Sequence, residues 1–234
     1  MQLFYNSEIK NTDSSFVFDK EESKHIVKVL RKKESDKIFI TNGLGFLFVS
    51  EISLASDKKC EVKILEIQEF EKPKYNLHIA VAPTKMNDRL EWFLEKATEI
   101  GIQEITPIIC EHSERKIYKI DRAEKIIQSA MKQSNQFYLP KINEPISFKE
   151  FIANTKCENK YIAHCVETER KQLKDSVNPS ENYVILIGPE GDFSESEIEL
   201  ALANNYKAVM LGNTRLRTET AALVACHTVA LINE

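Results

Sequence analysis

Along residues 1–70 the apolar positions fall in short runs that alternate with polar ones: SFVF (15–18), KIFITN (37–42), FLFVSEISL (46–54) and CEVKILEI (60–67). This pattern predicts β-strands. Asn42-Gly43-Leu44-Gly45 lies between two of these runs and reads as a hairpin turn, because glycine adopts positive φ without strain. A lone G-x-G is weak as a nucleotide motif, and the rest of a dinucleotide fingerprint is missing. One helix interrupts the strands. Asp19 is a suitable N-cap with Glu22 three residues on, and Ile26, Val29 and Leu30 make an apolar stripe. Lys24, Lys28, Arg31 and Lys32 lie on or near the opposite side, either as a solvated face or as a phosphate-contacting ridge.

The charged stretch QEFEKPKYN (68–76) marks a boundary. Beyond it the period changes. LHIAVAP, EITPII, KYIAHC, YVILIG and KAVML read as buried strands. Between them Leu90, Phe93, Leu94, Ala97 and Ile100 recur at helical spacing up to Gly101, a C-terminal cap. Ala123, Ile126, Ile127, Ala130 and Met131 repeat the stripe. Alternating strands and helices imply an α/β unit with a mainly parallel sheet covered on both faces.

Composition narrows the class without naming a function. The chain has 234 residues, 42% hydrophobic and 29% charged, as expected for a soluble protein with a real core. No apolar run approaches the roughly 18 residues of a membrane span, and the N-terminus lacks the pattern of a secretory leader. The five cysteines are scattered, with no C-x-x-C pair, so neither a disulfide framework nor a zinc site is expected. A reducing cytoplasm fits. The net charge of −4 means that any nucleic-acid binding must come from a local patch.

Candidate chemistry follows from where glycine occurs. Of the six glycines, Gly188, Gly191 and Gly212 lie just past the last two predicted strands. Ligands of open parallel sheets bind beyond the carboxyl ends of strands, and glycine lets main chain approach them closely. In the first loop Ser194 and Glu197 form a capping box, and Pro189 and Gly191 shape a turn whose free backbone groups suit an adenine edge. A plain strand-turn-helix junction would look the same. Neither loop is a P-loop. In the second, Arg215 and Arg217 precede a nearly all-apolar segment, Ala221 to Ile232, with Thr218 as its expected cap. A helix of this kind is expected to be buried on most sides. Arg217 beside the positive end of that helix makes an anion-favouring spot, unless it pairs with a local carboxylate.

GPEGDFSESE (188–197) and LGNTRLRTETA (211–221) resemble the two C-terminal signatures of the RsmE family, the 16S ribosomal RNA uracil-N3 methyltransferases of the SPOUT superfamily. HIVKVLRKKESDKI (25–38) is similar to the family's His-x-x-x-Val-Leu-Arg element, and residues 85–116 to its first helix, second strand and following loop. Four blocks in the family's order cover nearly the whole chain. The resemblance implies a PUA-like β-barrel for RNA binding over 1–70 and a SPOUT α/β domain with a deep trefoil knot over 74–234. It implies S-adenosylmethionine as donor, no metal, a homodimer and 16S ribosomal RNA of the small subunit as partner. The target would be a uridine of the decoding region.

Carried over by motif, Leu186, Ile187, Gly188, Pro189, Glu190 and Gly191 of one loop would line the adenosylmethionine pocket. Met210, Leu211, Gly212, Leu216, Arg217 and Thr218 of the other would complete it. Arg217 is the candidate to stabilise charge developing on the uracil, and Glu190 the candidate base or base-positioning group. His25, Lys28 and Arg31 would dock RNA. A ribose 2′-O-methyltransferase and a non-catalytic ribosome-associated RNA-binding factor are the alternatives. Five positions depart from the family pattern: Ser35 and Asp192 replace glycines, Asn135-Gln136 replaces a frequent Gly-Arg pair, and Gln2 stands where arginine is common.

Overall fold

The computed structural model describes residues 1–166 and 169–234. It contains two compact units, Met1–Lys72 with Met131–Leu139, and Pro73–Ala130 with Pro140–Glu234.

The first unit holds β1 (Leu3–Tyr5), β2 (Ser15–Val17), α1 (Lys20–Lys24), β3 (Lys37–Thr41), β4 (Phe46–Ala55) and β5 (Cys60–Glu69). The strands form one sheet in the order β1-β3-β4-β5-β2. Only β1 and β3 run parallel; the other pairs are antiparallel. Alternation along the strands sends Ile38, Ile40, Phe48, Ile52 and Val62 inward, where they pack with Phe4, Phe18 and Ile26. The β3–β4 turn uses Gly43 at φ 73° and Gly45 at φ 93°. Residues of the returning segment close over this turn: Gly45 N donates to Phe137 O (2.8 Å), Leu139 N to Gly43 O (2.9 Å), and Phe137 stacks on Phe70.

Asp19 caps α1, its carboxylate accepting from Glu22 N at 2.8 Å. Past Lys24 the helix widens into a π-turn over His25–Val29, with Leu30 N donating to His25 O at 3.0 Å. This wider turn breaks the expected stripe. Ile26 is fully buried, but Val29 is rotated out to 66% exposure. The chain then turns through Arg31 (φ 56°) and Ser35 (φ 70°). A left-handed L-residue costs about 1–2 kcal/mol, while glycine costs about 0.5–1 kcal/mol in extra chain entropy. Ser35→Gly keeps the Ser35 N–H bond to Ile52 O. It is therefore expected to stabilise the protein by up to about 1 kcal/mol, read as a higher denaturant midpoint. A lower midpoint would show that the strain argument fails here.

The second unit comprises β6 (Asn76–Val81), α2 (Asn87–Ile100), β7 (Glu104–Ile109), α3 (Ile120–Gln133), β8 (Lys141–Ile142), β9 (Ile146–Ser147), α4 (Phe148–Asn154), β10 (Asn159–Ala163), β11 (Lys171–Gln172), β12 (Asn182–Ile187), α5 (Glu195–Ala203), β13 (Lys207–Met210) and α6 (Thr218–Ile232). The last residues of α3, from Met131, pack with the first unit. The strands are all parallel, in the order β11-β13-β10-β12-β6-β7-β8, with β9 also on β7. On one face Ala80, Ile162 and Leu186 share a core with Phe148 and Phe151 of α4 and Ile198 of α5. The intervening residues of β6, Leu77, Ile79 and Val81, point to the other face, which α6 covers beside α2.

Gly101 ends α2 at φ 102°. Along α6, Ala222, Ala225, Cys226, Val229 and Ala230 are buried, which is one helical stripe. Leu231 is 57% exposed, as is 43% of Trp92 on α2. Only His227 and Leu231 of the helix are exposed, so it is enclosed on most sides, as its composition suggested.

Candidate active site

Strands β13, β10 and β12 are neighbours, so the segments leaving their carboxyl ends meet. Beyond β12 the chain makes the Gly188–Phe193 turn and enters α5 through a Ser194/Glu197 capping box. Gly188 sits tightly: a Cβ there would come within 3.0 Å of the Phe193 ring, which would have to give way by a few tenths of an ångström. After β13 the chain runs through Gly212, at φ 148°, to Arg217 and into α6. Thr218 does not cap α6 as expected. It is the first helical residue, and its hydroxyl donates to Gly188 O at 3.0 Å, fastening one loop to the other.

Between the loops lies a cavity of about 320 Å³. Seven of the expected residues line it: Ile187, Gly188, Pro189, Glu190, Leu216, Arg217 and Thr218. Met210, Leu211 and Gly212 line an adjoining cavity of about 90 Å³, which shares Ala163, Cys165, Arg215, Leu216 and Ala221 with the first. Leu186 and Gly191 line neither. Leu186 is sealed in the core on the α5 side, because side chains of a strand alternate between faces. Gly191 lies against His112. Sequence reasoning missed Ala163, His164 and Cys165 at the end of β10, and Arg170 and Asp192. Only strand adjacency could have pointed to them.

Electrostatics single out the rim. Arg215 and Arg217 line the larger cavity and are exposed. Neither forms an ion pair among the described residues. Glu190 accepts from Lys85 N at 2.9 Å, which fixes its carboxylate at the cavity edge. Asp192, at φ 66°, ties the wall together: it accepts from Cys165 N (2.7 Å) and from Phe193 N (2.8 Å).

A larger cavity, about 430 Å³, opens at the opposite edge, where β6, β7 and β12 begin. Its polar groups are bonded to one another. Asn143 Nδ2 donates to Glu104 (2.8 Å) and Thr106 (2.7 Å), and His78 Nε2 lies 2.7 Å from Thr106 Oγ1. Size favours this cavity, but position and unpaired charge favour the other. Among the described residues no group of His, Cys, Asp and Glu could hold a metal, and no helix is long and apolar enough to cross a membrane. All five cysteines are free thiols.

The expected RNA-docking residues sit in the first unit, on and after the π-turn. His25 and Lys28 are exposed and loosely paired, with Glu22 at 2.9 Å and Asp57 at 3.6 Å respectively. Arg31 is exposed.

Comparison with known proteins agrees with this arrangement. The RNA methyltransferase domain family matches residues 70–230, and the RNA methyltransferase PUA domain matches residues 18–65. The ribosomal RNA small subunit methyltransferase E of Buchnera aphidicola (from Acyrthosiphon pisum) is 33% identical, over 91% of this chain and 86% of its own length. The crystal structure of a probable rRNA-methyltransferase from Porphyromonas gingivalis is 40% identical, with a TM-score of 0.92, covering 100% of this chain and 98% of that one. The Neisseria gonorrhoeae ribosomal RNA small subunit methyltransferase E, solved bound to S-adenosyl methionine, is 27% identical with a TM-score of 0.88 over 100% and 98% of the two chains. A PUA-type sheet followed by a parallel α/β unit, with two glycine loops fastened around a cavity at the sheet's carboxyl edge, is the chain's own version of that architecture, and the chain belongs to the ribosomal RNA small subunit methyltransferase E family.

Proposed function

We propose that this chain uses S-adenosylmethionine to methylate N3 of a uridine in the decoding region of 16S ribosomal RNA, giving 3-methyluridine. The observation that carries the reading is the pair of guanidinium groups, Arg215 and Arg217, on the wall of the cavity between the two glycine loops, without a carboxylate partner among the described residues. Names of relatives support the RNA class, and the Neisseria protein's bound S-adenosyl methionine supports the donor.

The residues present fit that donor. The cavity is of ligand size, and the Thr218–Gly188 bond fastens its two loops together. When bound, the donor supplies an electrophilic methyl on sulfonium, so the chain needs no metal or covalent intermediate. What the chain must do is align and deprotonate the base. Uracil N3 loses its proton as the N3–methyl bond forms and the sulfur–methyl bond breaks. Negative charge spreads onto the flanking carbonyl oxygens, and Arg217 donates to one of them. Glu190, held by Lys85 N, accepts the proton or positions the water that does. Alignment in a rigid wall supplies several kcal/mol more (about 7–11 in well-oriented model systems).

His25, Lys28 and Arg31 dock the RNA backbone. Residues 1–70 serve as the RNA-binding domain and 74–234 as the catalytic one. The exposed Trp92 and Leu231 beside the apolar stripe of α6 support a homodimer. The strand order, which places β13 outside β10 while Thr218 returns to Gly188 beyond β12, supports the trefoil knot. Five free thiols support a cytoplasmic location.

The test is a nucleoside comparison of 16S ribosomal RNA from a deletion strain and its parent. Loss of 3-methyluridine, restored by the intact gene, is expected. Loss of a ribose-methylated nucleotide would replace the reading by 2′-O-methylation. No loss, together with no S-adenosylmethionine binding by calorimetry, would leave a non-catalytic RNA-binding factor.

A further inference from the structure

We propose that His164 and Arg170 recognise the amino edge of the adenine ring by side-chain hydrogen bonds, making them the residues that set cofactor base specificity; this rests on the adenosylmethionine reading above. Neither belongs to a glycine loop. His164 follows the last residue of β10 and Arg170 precedes β11, and both line the smaller cavity, which shares five lining residues with the larger.

His164 is only 5% exposed. Both of its ring nitrogens are sealed from solvent and bond to nothing among the described residues, and Arg170 Nε is in the same state. A native chain leaves few buried polar atoms unpaired, since each costs about 1–3 kcal/mol, so three on two bonded residues that line one cavity point to a missing ligand. The two residues are already fixed to one another: Arg170 donates through Nη1 to the His164 carbonyl. That bond leaves the ring and Nε free for something else.

The chemistry of the unused groups identifies what fits. Burial, and then the Arg170 cation, hold the His164 pKa below its ordinary value, so the imidazole is neutral. A neutral imidazole presents one N–H donor and one bare nitrogen acceptor. Arg170 Nε–H adds a donor. Adenine shows the complement, an amino donor flanked by ring-nitrogen acceptors. Val209, Met210 and Leu211 supply apolar surface for the ring faces. Hypoxanthine reverses the edge, placing a carbonyl where the amino group was and N–H where N1 was bare.

The experiment is calorimetric titration with S-adenosylhomocysteine and S-inosylhomocysteine. The wild-type chain is expected to prefer the adenosyl compound by about tenfold or more, the worth of one or two hydrogen bonds. His164→Leu and Arg170→Met are expected to bind the two compounds within about threefold of each other. A second measurement needs no variant. In the ¹⁵N spectrum of wild-type protein, the His164 ring nitrogens, assigned through the backbone, should shift with S-adenosylhomocysteine. Variants that weaken both compounds equally, or imidazole signals that do not move, would overturn the proposal while leaving the cofactor reading intact. A wild-type chain that binds neither compound would instead overturn the cofactor reading itself.

Discussion

Arg217→Ala is expected to bind S-adenosylmethionine as the wild type does and to transfer methyl groups about 10²–10³-fold more slowly, the effect of deleting one donor aimed at developing charge. In free energy this is about 3–4 kcal/mol of transition-state stabilisation. The expectation follows from where the guanidinium stands. Arg217 is exposed on the cavity wall without a carboxylate partner among the described residues, and it directly precedes the first turn of α6. Its removal leaves no buried charge orphaned, so the fold is unaffected. Single-turnover kinetics on ribosomal RNA, paired with a calorimetric titration, separate the two effects. Normal turnover with unchanged cofactor affinity would eliminate Arg217 from the chemistry, and a parallel loss of affinity would reassign it to binding.

Phe193→Ala is the substitution with the largest expected structural effect. The ring is 3% exposed and packs on Phe148 at a centroid distance of 5.4 Å. It also lies against Gly188, where a Cβ would come within 3.0 Å of the ring. Truncating a buried phenylalanine costs about 3–5 kcal/mol in lost transfer energy and cavity. The cavity would open directly under the first glycine loop, so adenosylmethionine binding weakens along with stability. Phe193→Leu fills most of the volume and should retain most of both. Denaturant unfolding and cofactor titration check this; a stability change below about 1 kcal/mol would mean the loop does not rest on this ring.

Much of this architecture can be read from the chain, and the exceptions have physical causes. The long strands and α2 have clear periods, and the capping residues Asp19 and Ser194 do what their chemistry suggests. Strands of two residues, such as β8, β9 and β11, are too short to show a period. The π-turn has no residue signature, so Val29 faces opposite to its helical-wheel position. Return of Met131–Leu139 to the first unit is a long-range contact that no local pattern encodes. The cavity's two loops were legible because glycines mark them. His164 and Arg170 were not, because single polar residues at strand ends carry no spacing. The departures from the family's glycines are instructive. Ser35, Asn135 and Asp192 all hold left-handed backbone, at φ 70°, 54° and 66°. The main-chain path is thus kept while the residue differs, most easily for Asn and Asp, which tolerate this region. Asp192 gains from the change, using its carboxylate to hold Cys165 N.

The hydroxyl of Thr218 meets the Gly188 carbonyl across 30 residues, and the loop that closes the cavity from that side lines it between Leu211 and Ala221. The turn at Gly188 therefore has nothing opposite it until the chain has continued through α5 and β13 to Thr218. Without α6 (Thr218–Ile232) the cavity would lose Thr218 and Ala221 and the face of β6 that it covers would be bared, so site and sheet depend on one and the same helix.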